Sequence, residues 1–299
     1  MKSVIRLHSA IVMVFFLLTG ILAGCKGDAP APGNDPSASA PAQKRKLIVA
    51  TDTTLIPMSY IDDAGNFAGF EIDLLRKIAE RIGTDIDIVS VEWPGLFGGL
   101  ITHKFDLVIS SVTILEERKE KMAFSIPYLK SGLAFVVRRD MEGVDSVDDI
   151  RKRRLLTGAQ VGTTSYFYLE KDPDFKVKGY QVYGHAVTDL INGEIDAVLG
   201  ESSATLYYKN RQKDYFQKIR MVGDIVTDEN YGIVLRKDDP ELLEEIDTAL
   251  AQLLADGTVK TLHEKWELGR AASVPGETPA PVGQTGSSPS GNSGSIGNN

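Results

Sequence analysis

The chain has 299 residues, 42% hydrophobic and 25% charged, with a formal net charge of -8 and a single cysteine. That length and apolar content suffice for one large core or two modest ones, and exclude a chain unfolded throughout. The acidic balance argues against a general nucleic-acid or anionic-membrane surface role, and one cysteine excludes an internal disulfide.

At the N-terminus, Lys2 and Arg6 precede the apolar run AIVMVFFLLTGILA of residues 10–23, which ends at Gly24 and Cys25. The run is shorter than the roughly 20 residues of a membrane-spanning helix, so residues 1–24 read as a signal peptide. LAGC, residues 22–25, resembles the lipobox of bacterial lipoproteins, in which cleavage leaves a lipid-carrying N-terminal cysteine. Cys25 is therefore expected to be lipidated, anchoring the chain to a membrane in the periplasm or at the cell surface. Removing residues 1–24 takes away Lys2 and Arg6 and no acid, which moves the formal charge from -8 to -10. Residues 25–44 are rich in Pro, Ala, Ser and Gly and read as a flexible linker. At the other end, 16 of the 29 residues from 271 to 299 are Gly, Pro or Ser, which predicts a disordered tail.

Between these ends, short apolar runs alternate with helical patterns. The strand candidates are KLIVAT (46–51), IDIVSVE (86–92), FDLVIS (105–110), LAFVVR (133–138), YQVYG (180–184) and DAVLG (196–200). Phe70, Leu74, Leu75, Ile78 and Ile82 mark one face of a helix closed by Gly83. Asp239 and Pro240 open a second, with Leu242, Leu243, Ile246, Leu250, Leu253 and Leu254 inward, which Gly257 stops. The alternation predicts an α/β fold with mainly parallel sheets covered by helices. No Pro/Gly/Ser-rich linker divides residues 44–270, and the basic cluster Arg151–Arg154 reads as a solvated face.

Open α/β sheets bind ligands beyond the carboxyl ends of their strands. The strand ends here lead in turn to Asp52, to Trp93, to Ser110, Ser111 and Thr113, and to Glu201; Thr163, Thr164 and Ser165 stand at another apparent helix start. Thr113 followed by Glu116 fits a capping box, whose free N–H groups and helix dipole favour an anion. Arg118, about one turn further on, offers planar paired donors matched to a carboxylate. Glu201 supplies the opposite charge, suited to an ammonium, so that together the set describes a zwitterion. Singly, each residue has an ordinary reading: Arg118 as a solvated helix residue beside Glu116, Glu117 and Glu120, the Ser and Thr residues as caps, and Trp93 as core.

The folded part resembles the bacterial extracytoplasmic solute-binding proteins of family 3, the polar amino-acid receptors of ABC importers. TDTTLIPMSY (51–60), GNFAGFEIDLL (65–75), ISSVTILEERKEKMAFSIPYLKSG (109–132), VGTTS (161–165), YGIVLRKDDPELL (231–243) and LADGTVKTLHEKW (254–266) carry the resemblance. It implies a type II periplasmic-binding-protein clamshell, with residues 45–132 and 232–270 in one lobe, 133–231 in the other, and two crossing strands between. By motif, Arg118 would grip the ligand α-carboxylate, assisted by Thr113, the Ser111 backbone and Thr164. Glu201 would take the α-amino group with Ser110 or Ser111, Trp93 would pack on the ligand side chain, and Asp52 would approach its polar end. Glu201 stands where the family more often has Asp, and Leu55 where many members place an aromatic.

The implied function is a monomeric, lipid-anchored receptor that passes an L-amino acid, polar or charged and with a lean to cationic, to permease and ATPase subunits. Two other classes compete. Cyclohexadienyl dehydratases look like this family and share a Trp-Pro pair, here Trp93-Pro94, but place a Glu shortly after the position of Glu201, where this chain has Ser202, Ser203 and Ala204. A ligand-sensing lipoprotein would use the same clamshell. No P-loop or metal-ligand spacing occurs, His8, His103, His185 and His263 being scattered, so neither cofactor nor metal is expected.

Overall fold

The computed structural model describes residues 45–211 and 217–276, with the side chains from 207 onwards in the first span excepted. The expected signal peptide, Cys25 and the expected linker to residue 44 lie outside the described residues.

Two five-stranded sheets share one pattern. In the first, Asp85–Ser90, Lys46–Thr51 and Leu107–Val108 run parallel in that order, followed by Val234–Leu235, antiparallel to Leu107–Val108 and to the last strand, Ala123–Phe124. In the second, Lys176–Tyr180, Leu156–Gln160 and Ala197–Glu201 are parallel, followed by Leu133–Arg138, antiparallel to Ala197–Glu201 and to the last strand, Ile219–Val222. The sheets are thus mixed where mainly parallel ones were expected. The antiparallel members enter directly from the neighbouring sheet, without the helical crossover that a parallel neighbour requires.

Two short segments carry the chain between the sheets. Leu129–Ser131 leads from the first into the second, Glu229–Tyr231 leads back, and the two pair antiparallel with Glu229 opposite Ser131.

Helices cover both faces of each sheet, which is why the strands read as continuous apolar runs. Along Lys46–Thr51, Val49 joins the core under helices Phe70–Ile82, Pro240–Ala255 and Thr258–Lys265, while Ala50 joins the core under Trp93–Ile101. In Leu133–Arg138, Phe135 and Val136 likewise face opposite cores. Phe70–Ile82 buries Phe70, Leu74, Leu75 and Ile78 at helical spacing, and Gly83 ends it in the left-handed conformation, its N–H bonded to Ala79 O. Asp239 caps the helix that Pro240 opens.

Two expectations change. YQVYG is the end of a strand and the start of a helix, Tyr183–Asn192, because Tyr183, Ala186, Val187 and Leu190 bury one helical face. Residues 271–276 belong to the fold and not to the tail: Ala271, Ala272 and Val274 are buried, and Ser273 exchanges backbone hydrogen bonds with Lys130. Polar composition concealed three small apolar side chains that fill the gap beside the Leu129–Ser131 strand. The rest of the expected tail, 277–299, lies outside the described residues.

Candidate functional site

The carboxyl ends of the parallel strands in both sheets converge on one cleft. Asp52, Thr54, Leu55, Trp93, Ser110 and Ser111 line it from the first sheet, and Gln160, Thr163, Ser165, Tyr183, Gly200 and Glu201 from the second. The cleft encloses about 30 Å³, room for two or three waters at roughly 10–15 Å³ each.

Arg118 is the cation of the site. Its guanidinium donates to Thr113 O at 2.9 Å and, across the cleft, to Gly162 O at 3.2 Å. It also lies 5.6 Å from the ring of Trp93 and 5.5 Å from that of Phe97. No ion pair engages it among the described residues. Burial lowers its pKa, and Glu201, Glu229 and Glu117 act in the opposite direction.

Glu201, at the end of Ala197–Glu201, faces the cleft. Its Oε2 accepts from the Tyr231 hydroxyl, and its Oε1 lies 3.4 Å from Thr164 Oγ1. Burial first, then the charge of Glu229, raises its carboxyl well above the ordinary range against the pull of Tyr231, Arg118 and Thr164.

The hydroxyl residues divide by task. Thr163 caps helix Thr164–Glu170, accepting from Tyr166 N, which fits its reading as a helix start. Thr113 caps nothing: helix Glu116–Lys119 begins after Leu115 with no side-chain cap, and Thr113 Oγ1 donates instead to Glu229 Oε2 at 2.7 Å. The expected capping box is absent because Thr113 lies in an extended bridge with Tyr231, two residues before the helix's N-cap position at Leu115. Ser110 Oγ accepts from Asp52 N at 3.1 Å, tying two strand ends together. Asp52 is itself a brace. Its Oδ1 accepts from Thr54 N at 2.9 Å and its Oδ2 from Trp93 N at 3.0 Å, so it caps helix Trp93–Ile101 from a different strand. Trp93 is both core and cleft wall, 7% exposed.

Sequence reasoning missed two acids. Glu229 accepts from Thr113, from Thr164 at 3.0 Å and from Thr227 at 3.0 Å. Nothing in ENYG marks it, since two of its three partners, Thr113 and Thr164, come from distant segments. Glu71, fully buried, accepts at Oε1 from Ser111 N at 2.6 Å, Ser111 Oγ at 2.9 Å and the Tyr128 hydroxyl. These bonds hold Ser111 at a left-handed φ of 48°, a conformation unusual for serine. A signal for Glu71 existed, because helical spacing places it on the same face as Leu75, Ile78 and Ile82.

Residues 47–269 match the bacterial extracellular solute-binding proteins, family 3. The L-cystine-binding protein TcyJ of Escherichia coli (strain K12) is 30% identical over 226 residues, 75% of this chain and 83% of that protein. A solved ancestral arginine-binding protein bound to arginine is 34% identical, with a TM-score of 0.70 over 75% of this chain and 98% of its own. The ancestral amino acid-binding protein AncCDT-1, a precursor of cyclohexadienyl dehydratase, is also 34% identical, with a TM-score of 0.68 over 74% of this chain and 95% of its own.

Proposed function

The chain belongs to the bacterial extracellular solute-binding proteins of family 3 and has the type II periplasmic-binding-protein clamshell; from that premise we propose that it is a lipid-anchored receptor that binds an L-amino acid between its lobes and delivers it to an ABC importer. The observation that carries this reading is the partly buried Arg118, stacked on Trp93 and Phe97 and facing Glu201 across a cleft walled by both sheets. A cation and an acid within electrostatic reach of each other suit the two ends of a zwitterion.

Arg118 and the free N–H groups at the start of helix Thr164–Glu170 take the α-carboxylate, with the Thr113 and Thr164 hydroxyls. Glu201 takes the amino group with a hydroxyl of Ser110 or Ser111. Trp93 and Leu55 pack on the side chain, while Asp52, braced by Thr54 and Trp93, presents its remaining lone pairs to a polar or cationic tip. The lobes open to admit the ligand, since 30 Å³ holds no amino acid. Closure then follows from contacts that only the closed form makes, because the carboxylate is shared between groups on both lobes.

Arg118→Ala removes the only cation of the set and is expected to abolish amino-acid binding in calorimetry with an unchanged circular dichroism spectrum. Retained micromolar-grade binding would sink the reading.

A dehydratase is the second reading. In its favour are the likeness to the precursor of cyclohexadienyl dehydratase and Glu201, an acid that holds its proton inside the cleft. Against it, the buried Ser202, Ser203 and Ala204 supply no acid where the dehydratases place a Glu, and the acid that does act on Glu201, Glu229, is held by threonine hydroxyls. Incubation with prephenate or arogenate separates the two readings, with product formation favouring the enzyme.

A further inference from the structure

Glu229 stands on the Glu229–Tyr231 segment that passes between the lobes, 7% exposed and paired in register with Ser131. Its Oε2 accepts from Thr113, beside the first sheet, at 2.7 Å and from Thr164, beside the second, at 3.0 Å; its Oε1 lies 3.0 Å from Thr227 Oγ1. A threonine hydroxyl has one hydrogen. When it points at Glu229 it cannot point at a ligand. Thr113 and Thr164 are the two hydroxyls that the amino-acid reading gives to the ligand's carboxylate, and Arg118 feels the charge of Glu229 as well as that of Glu201. A carboxylate beside the cleft thus already holds the two hydroxyls in the hydrogen-bonding role that the ligand is to play.

We propose that Glu229 is a specificity-determining residue that competes with the ligand's carboxylate for the Thr113 and Thr164 hydroxyls and selects against ligands carrying a second carboxylate. This rests on the amino-acid reading above. A bound ligand turns both hydroxyls toward itself and leaves Glu229 with Thr227, so every ligand binds against the loss of two charge-assisted bonds. A ligand with an acidic side chain meets a further cost. Asp52 and Glu229 already outnumber Arg118 around the cleft, and a second ligand carboxylate adds like charge in a poorly solvated space.

The test is calorimetric titration of each L-amino acid into the wild-type protein, Glu229→Gln and Glu229→Ala, with folding checked by circular dichroism. The amide of Glu229→Gln keeps one oxygen acceptor, replaces the other with an N–H donor and removes the charge at nearly the same size, so it decides the matter if the alanine variant does not fold. The expected result is at least fivefold tighter binding of the wild type's preferred amino acid by the variants. L-glutamate and L-aspartate should gain by a larger factor than any neutral amino acid. A merely structural role cannot produce tighter binding or a charge-dependent gain. Equal or weaker binding by both variants, or the same gain for neutral and acidic ligands, overturns the proposal while leaving the amino-acid reading intact. If wild type and variants alike bind no amino acid, that reading falls and the proposal falls with it.

Discussion

Glu71 shows how one residue shapes the cleft from beneath it. Three donors converge on its Oε1, while its Oε2 has no hydrogen-bond partner. Burial raises its carboxyl above the ordinary 4.5, outweighing the opposing bonds from Tyr128 and Ser111. The folded chain therefore holds this proton to higher pH than the unfolded chain does. Its contribution to stability is fully present below about 4.5 and is lost as pH rises through the raised folded-state value. Urea midpoints are accordingly expected to fall with rising pH above 4.5. Glu71→Gln should flatten part of that slope, the remainder belonging to Glu201, whose shift has the same sign. Glu71→Ala strands the Ser111 N–H, the Ser111 hydroxyl and the Tyr128 hydroxyl, and should cost about 3 kcal/mol in urea denaturation. A pH-independent urea midpoint in the wild type would contradict this account.

Among the elements, the paired segments between the lobes are the most tightly constrained. Gly132 follows Leu129–Ser131, and a Cβ there would lie 2.1 Å from Thr227 O and 2.5 Å from Ile225 Cγ2. Backbone cannot yield as a side-chain tip does, so Gly132→Ala should destabilise by about 1–3 kcal/mol. In a domain of this size that is a fall of roughly 2–4 °C in Tm for each kcal/mol, read by calorimetric melting. Elements also mark the limit of local reading. Gly83, Asp239 and Thr163 cap helices as their sequence context suggested, because a cap acts on N–H or C=O groups within four residues. Thr113 departs from its context because a bridge to Tyr231 holds it in extended backbone ahead of the helix, where its hydroxyl donates to Glu229, 116 residues away.

For the whole molecule, the cleft between the sheets makes ligand binding and stability one measurement. A ligand that binds only the folded chain raises its stability, by about 2.7 kcal/mol at a hundred times its Kd. A thermal-shift panel of the amino acids is expected to show a rise in Tm for those the cleft accepts, and no shift with any of them would demote the transport reading. By itself, the sequence determined the α/β class, the strand ends where chemistry gathers, and Arg118 with Glu201 as opposite charges. Those follow from apolar periodicity and from local order along the chain, which need no knowledge of distant partners. Only the tertiary structure decided that Asp52 braces Trp93, that Thr113 serves Glu229 instead of a helix, that residues 271–276 pack into the fold, and that Glu71 and Glu229 lie within reach of the cleft. Each of these depends on which segments meet across the sheets, and a buried carboxylate takes the best donors that folding brings to it, whatever their separation in the chain.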